Sequence, residues 1–190
     1  MTIVSIWCRH KDDSIIGIGP DIPWYIPSDA KRFRNLTLNN TLVVGKTTYE
    51  TFPNRTLPNR KFIVLSDIAD YEVSDTQNHK VVTDINLLKD YPEDLYVSGG
   101  ASVYRVFFTT HQLKPDVVVD CVYQGEVKEG LSGPKISVAP CVEVMEKEYF
   151  ALPQRFELDN VITTIWLKKG DFVEQETVKK ILNYMETEGK

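Results

Sequence analysis

The sequence predicts an α/β domain, built from one sheet whose strands are separated by helices. Short runs of β-branched and apolar residues alternate along the chain with helical or turn segments, which is typical of sheets with crossover connections. Two of these runs end in glycine turns that lead directly into a helical segment. The last two runs, 142–150 and 161–168, alternate roughly and are predicted as a terminal antiparallel strand pair. A chain of 190 residues needs only one core.

The first half of the chain contains a long shaped loop followed by a helix. Residues 16–27 hold three prolines and two glycines, which exclude a regular element over that span. Ser28 fits the N-cap position of a helix over 29–36. Asp29 therefore lies where the loop meets the first helical turn. Strands in this half are predicted at 3–8, 41–44 and 61–65.

The second half continues the alternation and ends in an amphipathic helix. After Gly170, apolar residues recur at the i, i+3, i+4 and i+7 positions of a helix over 174–187. We therefore expect one domain over 1–170 and a C-terminal amphipathic helical extension over 171–190. The apolar residues of that helix are Val178, Ile181, Leu182 and Met185. The other elements predicted in this half are a strand over 94–98, a helix over 101–108 and a strand over 117–123.

Composition and charge narrow the class of protein. The net charge of -5 and the pI near 5.3 argue against nucleic-acid binding, which needs clustered Lys and Arg. No apolar run approaches the ~20 residues that span a bilayer, and the first residues lack a basic leader, so we expect a cytoplasmic protein without a membrane partner. The three widely spaced cysteines indicate neither a disulfide framework nor a metal site. The histidines lie in polar stretches and are expected to face solvent: His10, His79 and His111.

Two glycine turns are candidates for phosphate binding. Gly45-Lys46-Thr47-Thr48 and Gly99-Gly100-Ala101-Ser102 each follow a predicted strand and open a helix. Backbone N–H groups at such a turn can hold an oxyanion, and ligands of open α/β sheets lie at the carboxyl ends of the strands. Either turn taken alone could be plain turn geometry, and neither matches the Rossmann fingerprint or the P-loop. Two turns in one small sheet favour a nucleotide ligand.

Asp29 is the candidate for substrate recognition. It follows a loop rich in apolar residues and precedes Phe33 by one helical turn. A carboxylate among apolar rings is costly unless it has a partner. Helix capping is the ordinary alternative. A carboxylate in an apolar cleft also suits a ligand with two adjacent N–H donors, such as an aminopyrimidinone edge.

The ordered set of these motifs resembles the dihydrofolate reductase family over roughly residues 1–168. The resemblance implies a mostly parallel central sheet flanked by helices, NADPH as hydride donor and dihydrofolate as acceptor. The motifs that carry it are Ile16-Gly17, Pro23-Trp24, Asp29 with Phe33, Gly45-Lys46-Thr47-Thr48, Leu57-Pro58-Asn59-Arg60, Val64-Leu65-Ser66, and Gly99-Gly100 followed by Val103-Tyr104.

The resemblance also assigns roles to individual residues. Asp29 and Trp24 would be the catalytic pair, with Asp29 holding the pterin ring and Trp24 ordering the loop and a water. The substrate-binding residues would be Ile6, Trp7, Cys8, Asp29, Phe33, Phe52, Leu57, Arg60, Ser98 and Asp120. The cofactor-binding residues would be Gly45, Lys46, Thr47, Thr48, Ser66, Gly99, Gly100, Ala101, Ser102 and Tyr104. No metal is implied, and a monomer is expected, with self-association through the C-terminal helix as the alternative.

Three positions depart from the family pattern. Ser98 stands where the family usually has a branched apolar residue. Asp67 lies beside the expected adenosine 2'-phosphate, and its negative charge weakens the predicted preference for NADPH over NADH. Asp120 stands where the family usually has a threonine that contacts the pterin amino group. We expect Asp120 to face the pocket beside Asp29. A register shift of one residue would place Cys121 there instead.

Two other functions stay open on the sequence. A pyrimidine reductase of riboflavin synthesis would share the fold and the cofactor turns, although Trp24 and Asp29 argue against it. A catalytically inactive folate-binding protein of the same fold would explain Ser98 and Asp120 as signs of relaxed chemistry.

Overall fold

The computed structural model describes residues 1–170 and 175–188. The strands are β1 (Ile3–His10), β2 (Ile15–Ile18), β3 (Thr41–Gly45), β4 (Lys61–Leu65), β5 (His79–Val82), β6 (Leu95–Val97), β7 (Val117–Tyr123), β8 (Lys135–Ser137), β9 (Tyr149–Leu158) and β10 (Val161–Lys168). The α-helices are α1 (Pro27–Leu36), α2 (Lys46–Thr51), α3 (Ala101–Thr109), α4 (Ala139–Glu148) and α5 (Gln175–Thr187). Short 3-10 helices occupy Pro53–Arg55, Ile85–Leu88 and His111–Leu113.

The main sheet has eight strands in the order β5-β4-β3-β6-β1-β7-β10-β9. The strands from β5 to β7 are parallel, whereas β10 is antiparallel to both β7 and β9. The predicted fold class, a mostly parallel sheet with a C-terminal antiparallel pair, is therefore confirmed. A second, two-stranded sheet joins β2 to β8.

Helices cover both faces of the sheet. Because successive strand residues point to opposite faces, β1 contributes Trp7 to one core and Ile6 to the other. The first core lies under α3 and α4, and the second lies under α1 and α5. A third cluster extends the α1 side of the sheet across β3 and β4, with Leu42 and Phe62 at its centre.

The strand predicted over 142–150 is wrong, because most of this segment forms α4. Pro140 lies in the first turn of that helix, where its missing N–H costs no hydrogen bond. Cys141, Val142 and Met145 are buried at helical spacing. The antiparallel partner of β10 is β9, which begins at Tyr149.

Four smaller predictions also need correction. Ser28 is not an N-cap, since α1 begins at Pro27 after an extended Ile26, and the Ser28 hydroxyl is buried without a hydrogen-bond partner among the described residues. The loop over 16–27 contains the end of β2. His10 and His79 are buried, whereas His111 is exposed as expected.

The amphipathic C-terminal segment forms α5, which packs against the sheet. Val178, Ile181 and Met185 are buried in the same cluster as residues of β1, β7 and β10. The Thr177 hydroxyl donates to an Asp94 carboxylate oxygen at 3.0 Å, which fixes the beginning of the helix. The predicted helix start at residue 174 lies outside the described residues. Across the described parts of the chain, no helix combines the length and the apolar character needed to cross a bilayer.

Candidate active site

The two glycine turns meet at the carboxyl edge of the sheet. They follow β3 and β6, which are parallel neighbours, so both strands end at the same place. The Gly45 N–H donates to the Gly99 carbonyl at 2.8 Å. A Cβ on Gly100 would lie 3.2 Å from the Thr48 hydroxyl, and Gly99 has a φ of +112°, which disfavours any other residue. Gly99 is therefore favoured by its backbone conformation and Gly100 by the close Thr48 side chain.

Polar groups of this edge are open to a ligand. Helix α3 begins after Gly100 without a side-chain cap, so the N–H groups of its first turn have no intrahelical partner. The Lys46 ammonium lies 5.5 Å from the centre of the Tyr71 ring. Thr47 and Ser102 are exposed, Thr48 and Ala101 are half-buried, and Ser66 caps its own loop by accepting from Ile68 N at 3.0 Å. These donors and small residues fit the phosphates of a dinucleotide.

Tyr104 ties this edge to the central strand. Its hydroxyl donates to the Ile6 carbonyl at 2.6 Å, and its ring meets Trp7 edge to face with centroids 5.2 Å apart. Burial raises the pKa of Tyr104, so the hydroxyl stays protonated and remains a donor. The side chain therefore holds helix α3 against β1 beside the glycine turns.

Asp29 lies in the first turn of α1 and is half-buried. Its side chain is 26% exposed, and one carboxylate oxygen lies 3.5 Å from Arg32 Nη1. Burial is the largest effect on Asp29 and raises its pKa, and the negative charge of Glu188 raises it further. The positive charge of Arg32 and a hydrogen bond from the Cys8 thiol act in the opposite direction and lower this pKa. The carboxylate is thus poorly solvated and retains oxygen atoms for a ligand with N–H donors.

Aromatic and apolar side chains line the side of the sheet on which Asp29 and α1 lie. Phe33, Phe52 and Leu57 pack against the same cluster on β3 and β4. Trp24 lies 5.1 Å from the ring of Tyr123 and packs on the core that contains Ile6. Such side chains exclude water and fit a flat heterocyclic ring.

Arg60 is fixed by contacts near the end of α1. Its Nη1 donates to the Pro58 carbonyl at 2.5 Å, its Nη2 donates to the Arg34 carbonyl, and its Nε contacts the Thr37 hydroxyl at 3.4 Å. Burial and the nearby charge of Arg34 lower the pKa of Arg60. The guanidinium is held in one orientation, as recognition of a carboxylate requires.

The expectation that Asp120 faces Asp29 is wrong. Asp120 accepts from Trp7 Nε1 at 2.7 Å and pairs with Arg9, so its side chain lies on the face of β7 that carries the α3 and α4 core. Cys121 points to the opposite face, where its sulfur lies 3.6 Å from Arg32 Nη1. Cys121, and not Asp120, therefore lies on the face of the sheet that carries Arg32 and Asp29. Strand alternation also places the Trp7 side chain away from Asp29 and the Cys8 side chain toward it.

The remaining two departures from the family pattern have ordinary surroundings. Ser98 lies just after β6, and its hydroxyl donates to the Tyr96 carbonyl at 3.1 Å. Asp67 is exposed directly after β4.

Two charged residues of the site were missed by the sequence analysis. Arg32 is 1% exposed, and its Nε donates to a Glu188 carboxylate oxygen at 2.8 Å. The i, i+3 spacing of Asp29 and Arg32 is a signal that could have indicated their pairing. No local pattern could indicate Glu188, because it is 156 residues away from Arg32 in the chain.

The fold and the site define an α/β oxidoreductase. A dinucleotide in such enzymes lies across the carboxyl edge of a mostly parallel sheet, next to the glycine turns. The sequence model of the family described as dihydrofolate reductase matches residues 2–128. The chain therefore belongs to the dihydrofolate reductase family, a family of NADP-dependent oxidoreductases.

Individual relatives agree with the family match. The dihydrofolate reductase of Enterococcus faecium is 33% identical over 127 residues, covering 65% of this chain and 74% of that protein. The dihydrofolate reductase of Mycobacterium tuberculosis H37Rv is 37% identical over 108 residues, covering 56% of this chain and 65% of that protein. The fold matches the structure of Enterococcus faecalis dihydrofolate reductase complexed with NADP(H), with a TM-score of 0.67, 22% identity, and coverage of 88% of this chain and 96% of that one.

Proposed function

We propose that this protein reduces 7,8-dihydrofolate to 5,6,7,8-tetrahydrofolate with NADPH, by hydride transfer to C6 and protonation at N5. The observation that carries the proposal is the poorly solvated Asp29 carboxylate at the start of α1, which together with Phe33, Phe52 and Leu57 would form one apolar cleft for the pterin. The family match favours this substrate over the pyrimidine of riboflavin synthesis.

Asp29 would bind and orient the pterin. Its two oxygens would accept from N3 and the 2-amino group in a charge-assisted bidentate contact. Phe33, Phe52 and Leu57 would pack on the pterin and benzoyl rings, and Arg60 would pair with the glutamate α-carboxylate. Backbone and side-chain atoms of Ile6 and Cys8 would line the pterin edge.

The glycine turns would hold the cofactor. The phosphates would lie against Lys46, Thr47, Thr48 and the first turn of α3, where a side chain at Gly99 or Gly100 would obstruct the approach. Tyr104 would pack near the nicotinamide. When bound, the reduced nicotinamide supplies the hydride for C6. Further cofactor contacts would come from Gly45, Ser66, Ala101 and Ser102.

The protein's own contribution would be orientation, exclusion of water and control of one proton. The Asp29 carboxylate would polarise the pterin through its two hydrogen bonds, while a water would deliver the proton to N5. Trp24 would hold that water and the loop that covers it. Proximity and orientation of the two ligands within a dry cleft would lower the barrier to hydride transfer.

The direct test follows NADPH oxidation by absorbance after dihydrofolate is added. The wild-type protein should turn over, and Asp29→Asn should lose about 100-fold or more of its turnover, the range for removal of a general acid–base group. Asp70→Asn is the matched control, because Asp70 is exposed and distant in sequence from the cleft. A wild type that binds both ligands without turnover would indicate the inactive folate-binding protein instead.

We also propose that residues 1–170 form the reductase domain, that 171–190 are a C-terminal extension whose helix α5 packs on that domain, and that the protein is a cytoplasmic monomer. The apolar stripe of α5 is covered by its own sheet, which supports the monomer. The cysteines Cys8, Cys121 and Cys141 are all free thiols, as in proteins of reducing compartments.

A further inference from the structure

We propose that Glu188, just beyond α5, is a positioning residue for the reaction, because it holds Arg32 and thereby keeps the Asp29 carboxylate available to the substrate. This inference rests on the proposed function and deepens it. The family match ends at residue 128, so the segment that supplies Glu188 lies outside it.

Arg32 is a buried cation between two carboxylates. Its Nε lies 2.8 Å from a Glu188 oxygen, whereas its Nη1 lies 3.5 Å from an Asp29 oxygen. Its Nη2 is buried and has no hydrogen-bond partner among the described residues. A guanidinium stays charged in proteins, and at 1% exposure it depends on protein partners for compensation. Glu188 is the nearer of the two and supplies the stronger contact.

The pairing of Arg32 with Glu188 has a consequence for Asp29. If Glu188 were neutral, the Arg32 charge would be compensated by Asp29 alone. The guanidinium would then draw the Asp29 oxygens toward itself, and those oxygens are the ones that the pterin N–H groups need. By compensating the Arg32 charge, Glu188 therefore leaves the Asp29 carboxylate available to the substrate.

Glu188 is itself held in place. Its side chain is 4% exposed, and its second oxygen accepts from the Tyr184 hydroxyl at 3.2 Å. Asn35 Nδ2 in turn donates to the Tyr184 oxygen at 3.1 Å, which links the end of α5 to α1. With Thr177 bound to Asp94 at the other end, α5 is anchored along its length. A carboxylate fixed in this way can orient its partner.

The charges around Asp29 make the effect measurable as a change of titration. Burial raises the pKa of Asp29, Arg32 lowers it and Glu188 raises it. When the Glu188 charge is lost, the negative charge that raises the Asp29 pKa is gone, and the Arg32 charge acts more strongly on Asp29. The pKa of Asp29 should therefore fall. Loss of both charges removes the cation as well, so the pKa should rise. The titratable groups coupled to Asp29 are Arg32, Glu188, Cys8, Cys121 and Tyr104.

The experiment compares wild type, Glu188→Gln and the matched control Glu186→Gln, which removes an exposed charge from the same helix. The pKa of Asp29 is read from its carboxyl carbon chemical shift, assigned by its loss in Asp29→Asn, and the pH profile of single-turnover hydride transfer is recorded in parallel. Glu188→Gln should lower both midpoints by about half a pH unit or more, a clear electrostatic coupling. KM for dihydrofolate should rise several-fold and KM for NADPH should not change.

A second variant separates electrostatics from stability. Arg32→Met/Glu188→Met replaces the buried pair by apolar side chains, a change that proteins often tolerate. Its Asp29 titration should move upward, opposite to that of Glu188→Gln. Midpoints that coincide with wild type in both variants, or that move in the same direction, overturn the proposal. The titration requires no turnover, so a wild type without reductase activity would reject the proposed function and leave this test intact.

Discussion

Arg9 and Asp120 form a two-pronged ion pair between the neighbouring strands β1 and β7. Arg9 Nε lies 2.7 Å from Asp120 Oδ1, and Arg9 Nη2 lies 3.0 Å from Oδ2. The side chains are 12% and 3% exposed, and Trp7 Nε1 donates to the same carboxylate at 2.7 Å. Because every oxygen of Asp120 is occupied from the α3 and α4 side, the carboxylate belongs to the structure of the sheet rather than to the cleft of Asp29.

Replacement of Asp120 should therefore destabilise the fold without changing the chemistry. Asp120→Ala leaves a buried guanidinium and an indole N–H without their acceptor, which costs about 3–5 kcal/mol of unfolding free energy. Denaturant unfolding measures this loss, and Asp120→Asn should lose less because one acceptor remains. The pH profile of hydride transfer by the folded fraction should superimpose on that of wild type. A shifted profile would return Asp120 to the cleft.

Arg60→Leu should weaken dihydrofolate binding selectively. The guanidinium is held by backbone carbonyls near the end of α1, and in the proposed complex its loss would leave the glutamate α-carboxylate of the substrate without an ion pair. We expect a loss of about 2–4 kcal/mol in folate binding and an NADPH affinity near wild type. Equilibrium titration of each ligand gives both values. Arg55→Leu is the control, since Arg55 is an exposed cation nearby, and equal losses of both ligands would indicate general damage instead.

Asp29→Asn should make the protein more stable near neutral pH. The pKa of Asp29 is raised in the folded state, so its ionisation destabilises the fold as pH rises through that value. The amide cannot ionise and avoids this cost. Thermal unfolding should show a higher Tm for Asp29→Asn above neutrality, with the difference shrinking toward about pH 4, where the unfolded carboxyl also protonates. A difference that is constant with pH would contradict the raised pKa.

His79 should make the fold sensitive to mild acid. The side chain is buried, and its Nδ1 contacts the Tyr49 hydroxyl at 2.7 Å. Burial lowers the pKa of His79, against the raising effect of Asp75, so the folded state resists protonation. Stability is then lost as pH falls below the unfolded value of about 6.5. Denaturant unfolding gives the free energy of unfolding at about pH 7 and about pH 5. Between these two pH values, His79→Gln should lose less unfolding free energy than wild type.

Asp67→Ser tests the cofactor preference. Asp67 is exposed after β4, where the family resemblance puts the adenosine 2'-phosphate. A carboxylate there opposes the phosphate that Lys46 attracts, so its removal should raise kcat/KM for NADPH more than for NADH. An unchanged ratio of the two constants would show that Asp67 points away from the phosphate.

The sheet could be predicted from the sequence where strands are apolar on both faces. Residues 41–44, 61–65 and 117–123 coincide with β3, β4 and β7 because buried parallel strands leave a continuous apolar run. Most of the segment 142–150 was predicted as a strand because its valines favour strands. It forms helix α4 instead, as Pro140 in the first turn and the helical spacing of the buried residues indicate. β2 and β8 were missed since each is short and depends on the other for its hydrogen bonds.

The site could be predicted as far as local motifs describe it. The glycine turns and Asp29 carry their own signals, and the structure brings the two turns into direct contact. The face of the sheet on which Asp120 lies depends on the strand register, because a shift of one residue moves every side chain of the strand to the opposite face. Arg32 and Glu188 meet only in the folded chain, so neither position carries a signal for the other.

The place of β1 in the sheet has a consequence for how the chain folds. The first strand lies between β6 and β7, and at its beginning the backbone N–H groups of Thr2 and Ile3 donate to Asp94 and Asp116, partners 92 and 113 residues further along. Loops of that length must close before the central pairing gains any energy, and such high contact order slows folding. During synthesis the apolar β1 is exposed until β7 has left the ribosome, which makes the nascent chain a substrate for chaperones. Strand β1, at the centre of the finished sheet, is therefore synthesised long before both strands that pair with it.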